Sequence, residues 1–83
     1  MRQALKTVLR PEYDVVLKLL ADSRREAKVS QRELARRLGK TQSYVSKIES
    51  GQQRLDVLEF LDFARAINVE PAMLMLRLDS LTR

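Results

Sequence analysis

The chain contains no cysteine, no histidine and no tryptophan, and only two tyrosines and two phenylalanines among its 83 residues. Without cysteine there is no disulfide framework and no thiol chemistry, and an intracellular setting is the simplest reading. Without histidine as well, the commonest metal ligands and general bases are missing. No nucleophile–base pair or metal set presents itself, so an enzyme is the least expected class. No apolar run approaches the ~20 residues that a membrane-spanning helix needs. The N-terminal stretch MRQALKTVLRPEYD is basic, but Lys6 and Arg10 interrupt its apolar content and no small-residue cleavage site follows, so it does not read as a signal peptide. Glycine and proline are scarce, two of each, and all four fall at the borders of helical segments. No strand pattern, repeat, linker or low-complexity segment is visible. A chain of this length forms one small domain with a modest core.

What is present is charge, unevenly spread. Residues 24–54 carry nine Lys/Arg against three Glu, a net of +6, within a chain total of +5. Residues 55–83 come out at −2 and residues 1–23 at +1. One contiguous segment therefore holds all the excess positive charge, the footprint of a polyanion-binding face. A basic surface that merely meets water gives the same count, so charge alone does not choose.

The pattern predicts helices throughout. Pro11 suits a first helical position, with Glu12 and Asp14 in the first turn, where acids meet the positive helix end. Val16, Leu19, Leu20, Ser23 and Ala27 follow at helical spacing. Ser30 and Glu33 form an S-x-x-E capping box, which starts a second helix near Gln31. Gly39 ends it. Thr41 caps a third helix that runs to about Ser50, with Gly51 closing it. Asp56 and Glu59 mark a fourth start, with Leu58, Phe60, Leu61, Phe63 and Ile67 as its apolar residues. Pro71 opens a last helix, PAMLMLRLDSL.

The stretch SQRELARRLGKTQSYVSKIESG, residues 30–51, raises its own question: two helices too short to stand alone, joined by about three residues. They must cross steeply. Ala35 supplies a small residue where they touch, Gly39 a backbone free to take positive φ, and Leu34, Leu38, Val45 and Ile48 apolar anchors on both sides. With these turned inward, about 100° per residue puts Gln42, Ser43, Ser46, Lys47 and Ser50 on the opposite face. Such a face can donate and accept hydrogen bonds in a groove without a row of carboxylates to repel phosphate. Gln can address adenine, Lys guanine, and Ser either.

These residues resemble a family. SQRELARRLGKTQSYVSKIESGQQRLD is similar to the helix-turn-helix core of the Cro/repressor-like, or Xre-type, transcriptional regulators, and the likeness covers roughly residues 13–76. The motif is specific: glutamine opening the second helix, L-A, the turn glycine, T-Q-S, and I-E-x-G closing the third. The resemblance implies an all-α, compact five-helix bundle that binds double-stranded DNA. It implies that Gln31, Thr41 and Gln42 grip phosphates, Gln42 touching a base as well, and that Ser43, Ser46 and Lys47 read bases. Gln52, Gln53 and Arg54 match a loop that contacts phosphate, and Arg24 and Glu49 match a structural ion pair. Tyr44, at the edge of the reading face, is expected to pack beside Ile48 rather than stack on the sugar-phosphate. Arg36 and Arg37 are not expected to contact DNA.

The expected organisation is an N-terminal arm over residues 1–10 and one helix-turn-helix domain over 11–83 that ends in a dimerisation helix. That last helix has two apolar sides, Leu74, Leu78 and Leu81 on one and Ala72, Met73 and Leu76 on the other. A short terminal helix can turn only one to its own core, unless it wedges between two helices and buries both. Leu74, Leu78 and Leu81 are taken as the dimer interface. The expected function is a sequence-specific regulator, a homodimeric repressor on a palindromic operator, in the cytoplasm of a bacterial or phage-type system and with no cofactor. The rivals are an antitoxin that binds a toxin and its own promoter, and a module for protein contacts alone.

Overall fold

The computed structural model of the chain describes residues 10–83, so the expected N-terminal arm lies outside the described residues, Arg10 excepted. Five helices follow one another: α1 (Pro11–Glu26), α2 (Gln31–Leu38), α3 (Gln42–Ser50), α4 (Val57–Ala66) and α5 (Pro71–Leu81). All the described regular structure is helical.

Local chemistry sets the starts. Pro11 and Pro71 sit at first helical positions. Ser30 Oγ accepts from Glu33 N at 3.0 Å, and Thr41 Oγ1 accepts from Tyr44 N at 3.1 Å. Only half of the capping box expected at Ser30 forms. The Glu33 carboxylate turns instead to the guanidinium groups of Arg36 and Arg37, because two cations one turn ahead attract a carboxylate more strongly than one backbone N–H does. The box at α4 is complete: Glu59 N donates to Asp56 Oδ1 at 2.7 Å and Asp56 N to Glu59 Oε1 at 2.8 Å.

The stops are equally local. Helices α1 to α4 each give way to a residue with positive φ: Lys28 at 62°, Gly39 at 68°, Gly51 at 83° and Asn68 at 61°. At each of them the next backbone N–H reaches back to the same helix, as Val29 N does to Arg24 O, Lys40 N to Ala35 O, Gln52 N to Lys47 O and Val69 N to Ala64 O. This satisfies carbonyls that the helix end would leave open. At Gly39 a Cβ would have open space around it. Glycine is needed there for its backbone conformation, not for its size.

Packing then orders the bundle. Leu34 and Ala35 of α2 meet Val45 and Ile48 of α3, and Leu19 and Leu20 of α1, Phe60, Phe63 and Ala64 of α4, Ile67 just after it, and Leu74 of α5 close around them. Residues 60, 63, 64 and 67 form one stripe, which leaves Leu58 on the far side. Leu58 is exposed, with its neighbour Val57, and does not serve the core as the sequence suggested. On α5, Leu74 is wholly buried and Leu78 packs against the same core. These two face inward because α5 lies across α1 and α4. The expected assignment of Leu74 to a dimer interface is therefore corrected, since that side chain is wholly buried. The outward apolar side chains are Met73, Met75 and Leu76, with Leu81 exposed at the helix end.

Tyr44 ties α3 to α4. Its hydroxyl donates to Glu59 Oε2 at 2.9 Å, and Lys40 Nζ stands 5.2 Å from its ring centre. Burial, and then the Glu59 carboxylate, push the phenol from the usual 10.0 up to about 12. The raised value favours the protonated phenol. Its stabilisation is full below about pH 10 and is lost as pH rises through about 12. Thermal unfolding across that range should show a smaller alkaline fall for Tyr44→Phe than for the wild type. Equal falls would show that this phenol is not held.

Candidate nucleic-acid interface

Helix α3 is placed by a charge buried beneath it. Glu49, the only carboxylate on α3, points away from the polar face and into the junction of three helices. Arg24, at the end of α1, grips it with two bonds, Nε to Oε2 at 2.7 Å and Nη2 to Oε1 at 3.0 Å. Arg24 Nη1 donates to Val29 O at 2.9 Å, and Gln31 Nε2 donates to Glu49 Oε1 at 2.9 Å. The two charged side chains are only 8% and 6% exposed. End of α1, turn, start of α2 and end of α3 are thus joined through one carboxylate. A two-pronged guanidinium–carboxylate pair fixes orientation as well as distance.

With Glu49 drawn inward, the outward face of α3 carries no negative charge. Gln42, Ser43, Ser46, Lys47 and Ser50 are all exposed on it. Among the described residues, none of the side chains of Gln42, Ser43, Ser46 and Lys47 makes a hydrogen bond or ion pair within the chain, and Ser50 makes only a local bond to Lys47 O at 3.3 Å. Thr41 is exposed at the helix start; its oxygen caps Tyr44 N, and its hydroxyl proton is left to donate outward. Gln52, Gln53 and Arg54 follow in the loop after α3, all exposed. The structure therefore brings together Thr41, Gln42, Ser43, Ser46 and Lys47 on one helix and sets residues 52–54 beside its end. Gln31 stands apart. One N–H of its amide is engaged by Glu49 in the brace, and the half-buried side chain keeps its second N–H.

Two contacts that hold this surface had no signal in the sequence. Leu55 N donates to the Tyr13 hydroxyl at 3.0 Å, across 42 residues, which bolts the loop carrying Arg54 to the start of α1. Arg37 Nη1 donates to Ala66 O at 2.8 Å, at the carbonyl end of α4. A cation suits that negative helix end. Glu33 is held well below the ordinary range, at about 2, first by its bond to Arg36 and then by Arg37. Arg37 is thus committed to the bundle, while Arg36 pairs with Glu33 on its own helix.

Two short helices crossing through a left-handed glycine, with a polar, uncommitted second helix turned outward, define a helix-turn-helix. The family model described as Helix-turn-helix matches residues 20–74. A solved structure of an XRE-family like protein from Pseudomonas syringae pv. tomato str. DC3000 matches with a TM-score of 0.85 and 44% identity, over 99% of this chain and 100% of that one. An uncharacterized HTH-type transcriptional regulator, y4dL, of Sinorhizobium fredii (strain NBRC 101917 / NGR234) is 43% identical over 51 residues, 61% of this chain. This chain covers only 26% of that relative's length. The chain belongs to the Xre-type helix-turn-helix regulators, a family that acts by binding DNA.

The buried pair gives the site its clearest energetic test. Arg24→Ala leaves the Glu49 charge buried with one amide partner, and should lower stability in urea by about 3–5 kcal/mol. Replacing both, Arg24→Met with Glu49→Met, should cost much less, because no charge is then stranded. A single variant as stable as the wild type would show that the pair does not hold α3.

Proposed function

We propose that the chain is a sequence-specific regulator of transcription that lays α3 in the major groove of double-stranded DNA and acts there as a homodimeric repressor on a near-palindromic operator. The observation that carries this reading is the outward face of α3, polar, free of carboxylate and, at Gln42, Ser43, Ser46 and Lys47, without a side-chain bond to the other described residues. Lys47 is matched to guanine, Gln42 to adenine, and Ser43 and Ser46 to either edge. Thr41, Gln52, Gln53, Arg54 and the N-terminus of α2 at Gln31 take phosphates, which position the helix without reading sequence. The chain works by binding and needs no cofactor.

The partner surface is the outer side of α5. Met73, Met75 and Leu76 are 55%, 43% and 63% exposed. Met73 and Leu76 share one side of this short helix, with Met75 further round, and apolar exposure of this kind marks a contact. A second copy related by a two-fold axis covers it with the same residues. Such a dimer presents its two α3 helices about 34–36 Å apart, one turn of DNA. The interface rests on one short helix, so the dimer is of moderate strength.

Selection of bound sequences from a random DNA pool, followed by binding measurements on the enriched site, tests the reading. Affinity should fall steeply with salt as counterions are released. Lys47→Ala should weaken the selected site by about 1–3 kcal/mol and relax preference at one base pair, whereas Arg54→Ala should weaken all sequences about equally. An unchanged ratio of selected to random binding for Lys47→Ala would remove it from the base-reading set. Sedimentation at micromolar concentration should give a dimer for the wild type and a monomer for Leu76→Glu. A wild type that remains monomeric, free and on DNA, would sink the dimer.

A further inference from the structure

A cleft of about 310 Å³ opens where the start of α1, the loop after α3 and the end of α5 meet. Its floor is apolar, from Val16, Leu78 and the Tyr13 ring. Its charged lining is Arg10, Glu12 and Arg54, with Thr82 at the end of α5. Arg10 is offset by Glu12, whose carboxylate accepts from its Nε at 3.2 Å. Arg54 is exposed and, among the described residues, makes no ion pair, so the net character of the rim is positive. The Tyr13 hydroxyl accepts from Leu55 N and keeps its own proton to donate. Leu78 is only partly covered by the core beneath it.

The geometry points to this cleft as a binding site for a small monocarboxylate with a short apolar body. The apolar body lies on Val16 and Leu78, and the carboxylate pairs with Arg54 and takes a bond from the Tyr13 hydroxyl. The volume falls at the small end of ligand pockets, and an apolar floor with a few placed polar groups is their usual make-up. A zwitterion or an amine finds no use for the rim, and an anion without an apolar part gains nothing from the floor.

The position gives the site a consequence. Arg54 also belongs to the loop assigned to DNA phosphate, so the coupling described next rests on the proposed function. A carboxylate held by Arg54 takes that side chain from the phosphate. Ligand and DNA then oppose each other, each lowering the other's affinity by the same factor. The cleft would serve as an inducer site inside the DNA-binding domain itself.

Amide NMR titration of the full chain with hexanoate, hexylammonium and acetate tests the site. Hexanoate should shift Tyr13, Val16, Leu55, Leu78 and Thr82 saturably in the millimolar range, and the other two probes should not. Arg10→Glu, at an exposed position, should weaken hexanoate at least about fivefold, as reversal of a rim charge requires. Equal shifts from hexylammonium, or hexanoate shifts confined to Met73 and Leu76, would overturn the site. So would contacts from the Val8 or Leu9 methyls to Val16 or Leu78 in the free protein, since the chain's own N-terminus would then be the occupant. Saturating hexanoate should weaken DNA binding by roughly fivefold, the lower end of ordinary coupling, and should do so for the wild type but not for Arg54→Gln. Saturable cleft binding with unchanged DNA affinity would overturn the coupling and the phosphate role of Arg54 alone. Failure to bind any DNA would overturn the proposed function while the titration still judges the cleft.

Discussion

The bundle depends on one buried charge pair. Arg24 and Glu49 lie 25 residues apart in sequence, on helices that a short turn and α2 separate. Their two-pronged contact, with Val29 O and Gln31 as further partners, sets α3 against α1. Apolar packing alone would hold α3 in place but would let it rotate or slide, because hydrophobic attraction has no direction. A guanidinium–carboxylate pair has one orientation and one register. The outward face of α3 is therefore fixed from behind, by groups that never meet a partner.

The same arrangement explains how a basic segment keeps a clean surface. Residues 24–54 contain three carboxylates, and each is engaged within the chain. Glu49 is taken by Arg24, Glu33 by Arg36 and Arg37, and Glu26 lies 4.0 Å from Arg77. None remains to oppose an anion at α3. Among the described residues, the cations left without such partners include Lys47 and Arg54, at and just after the end of α3. The positive potential at α3 is thus set as much by where Glu49 is buried and Glu33 paired as by how many bases there are.

Helix starts and stops were legible in the sequence because they are local. Pro11, Ser30, Thr41, Asp56 and Pro71 each act within about one turn, and each begins its helix within a residue of the expected place. The inward set of α2 and α3 was legible for the same reason: Leu34, Ala35, Val45 and Ile48 follow from helical period and a short turn. Contacts between distant segments were not. Tyr13 sits among first-turn acids and gives no hint that its hydroxyl holds Leu55. The second half of the Ser30 box failed because Arg36 and Arg37 compete for Glu33, a contest that a four-residue motif does not register. On α5 the period offered two apolar sides of similar merit, and only the placement of α1 and α4 decides that Leu74 goes inward. The cleft was illegible altogether, since its walls come from both ends of the described chain.

The left-handed stops at Lys28, Gly39, Gly51 and Asn68 bear on how the chain reaches this state. Each break is closed by a backbone bond spanning only a few residues, so the points at which the chain changes direction are encoded before distant segments meet. Little loop-closure entropy has to be overcome before the first helix pairs form. Helical bundles rich in such near-neighbour contacts fold on the fast side of the known range, in microseconds to milliseconds. The clasp between Arg24 and Glu49, like the Tyr13–Leu55 bond, joins segments far apart in sequence and so cannot form from local contacts alone.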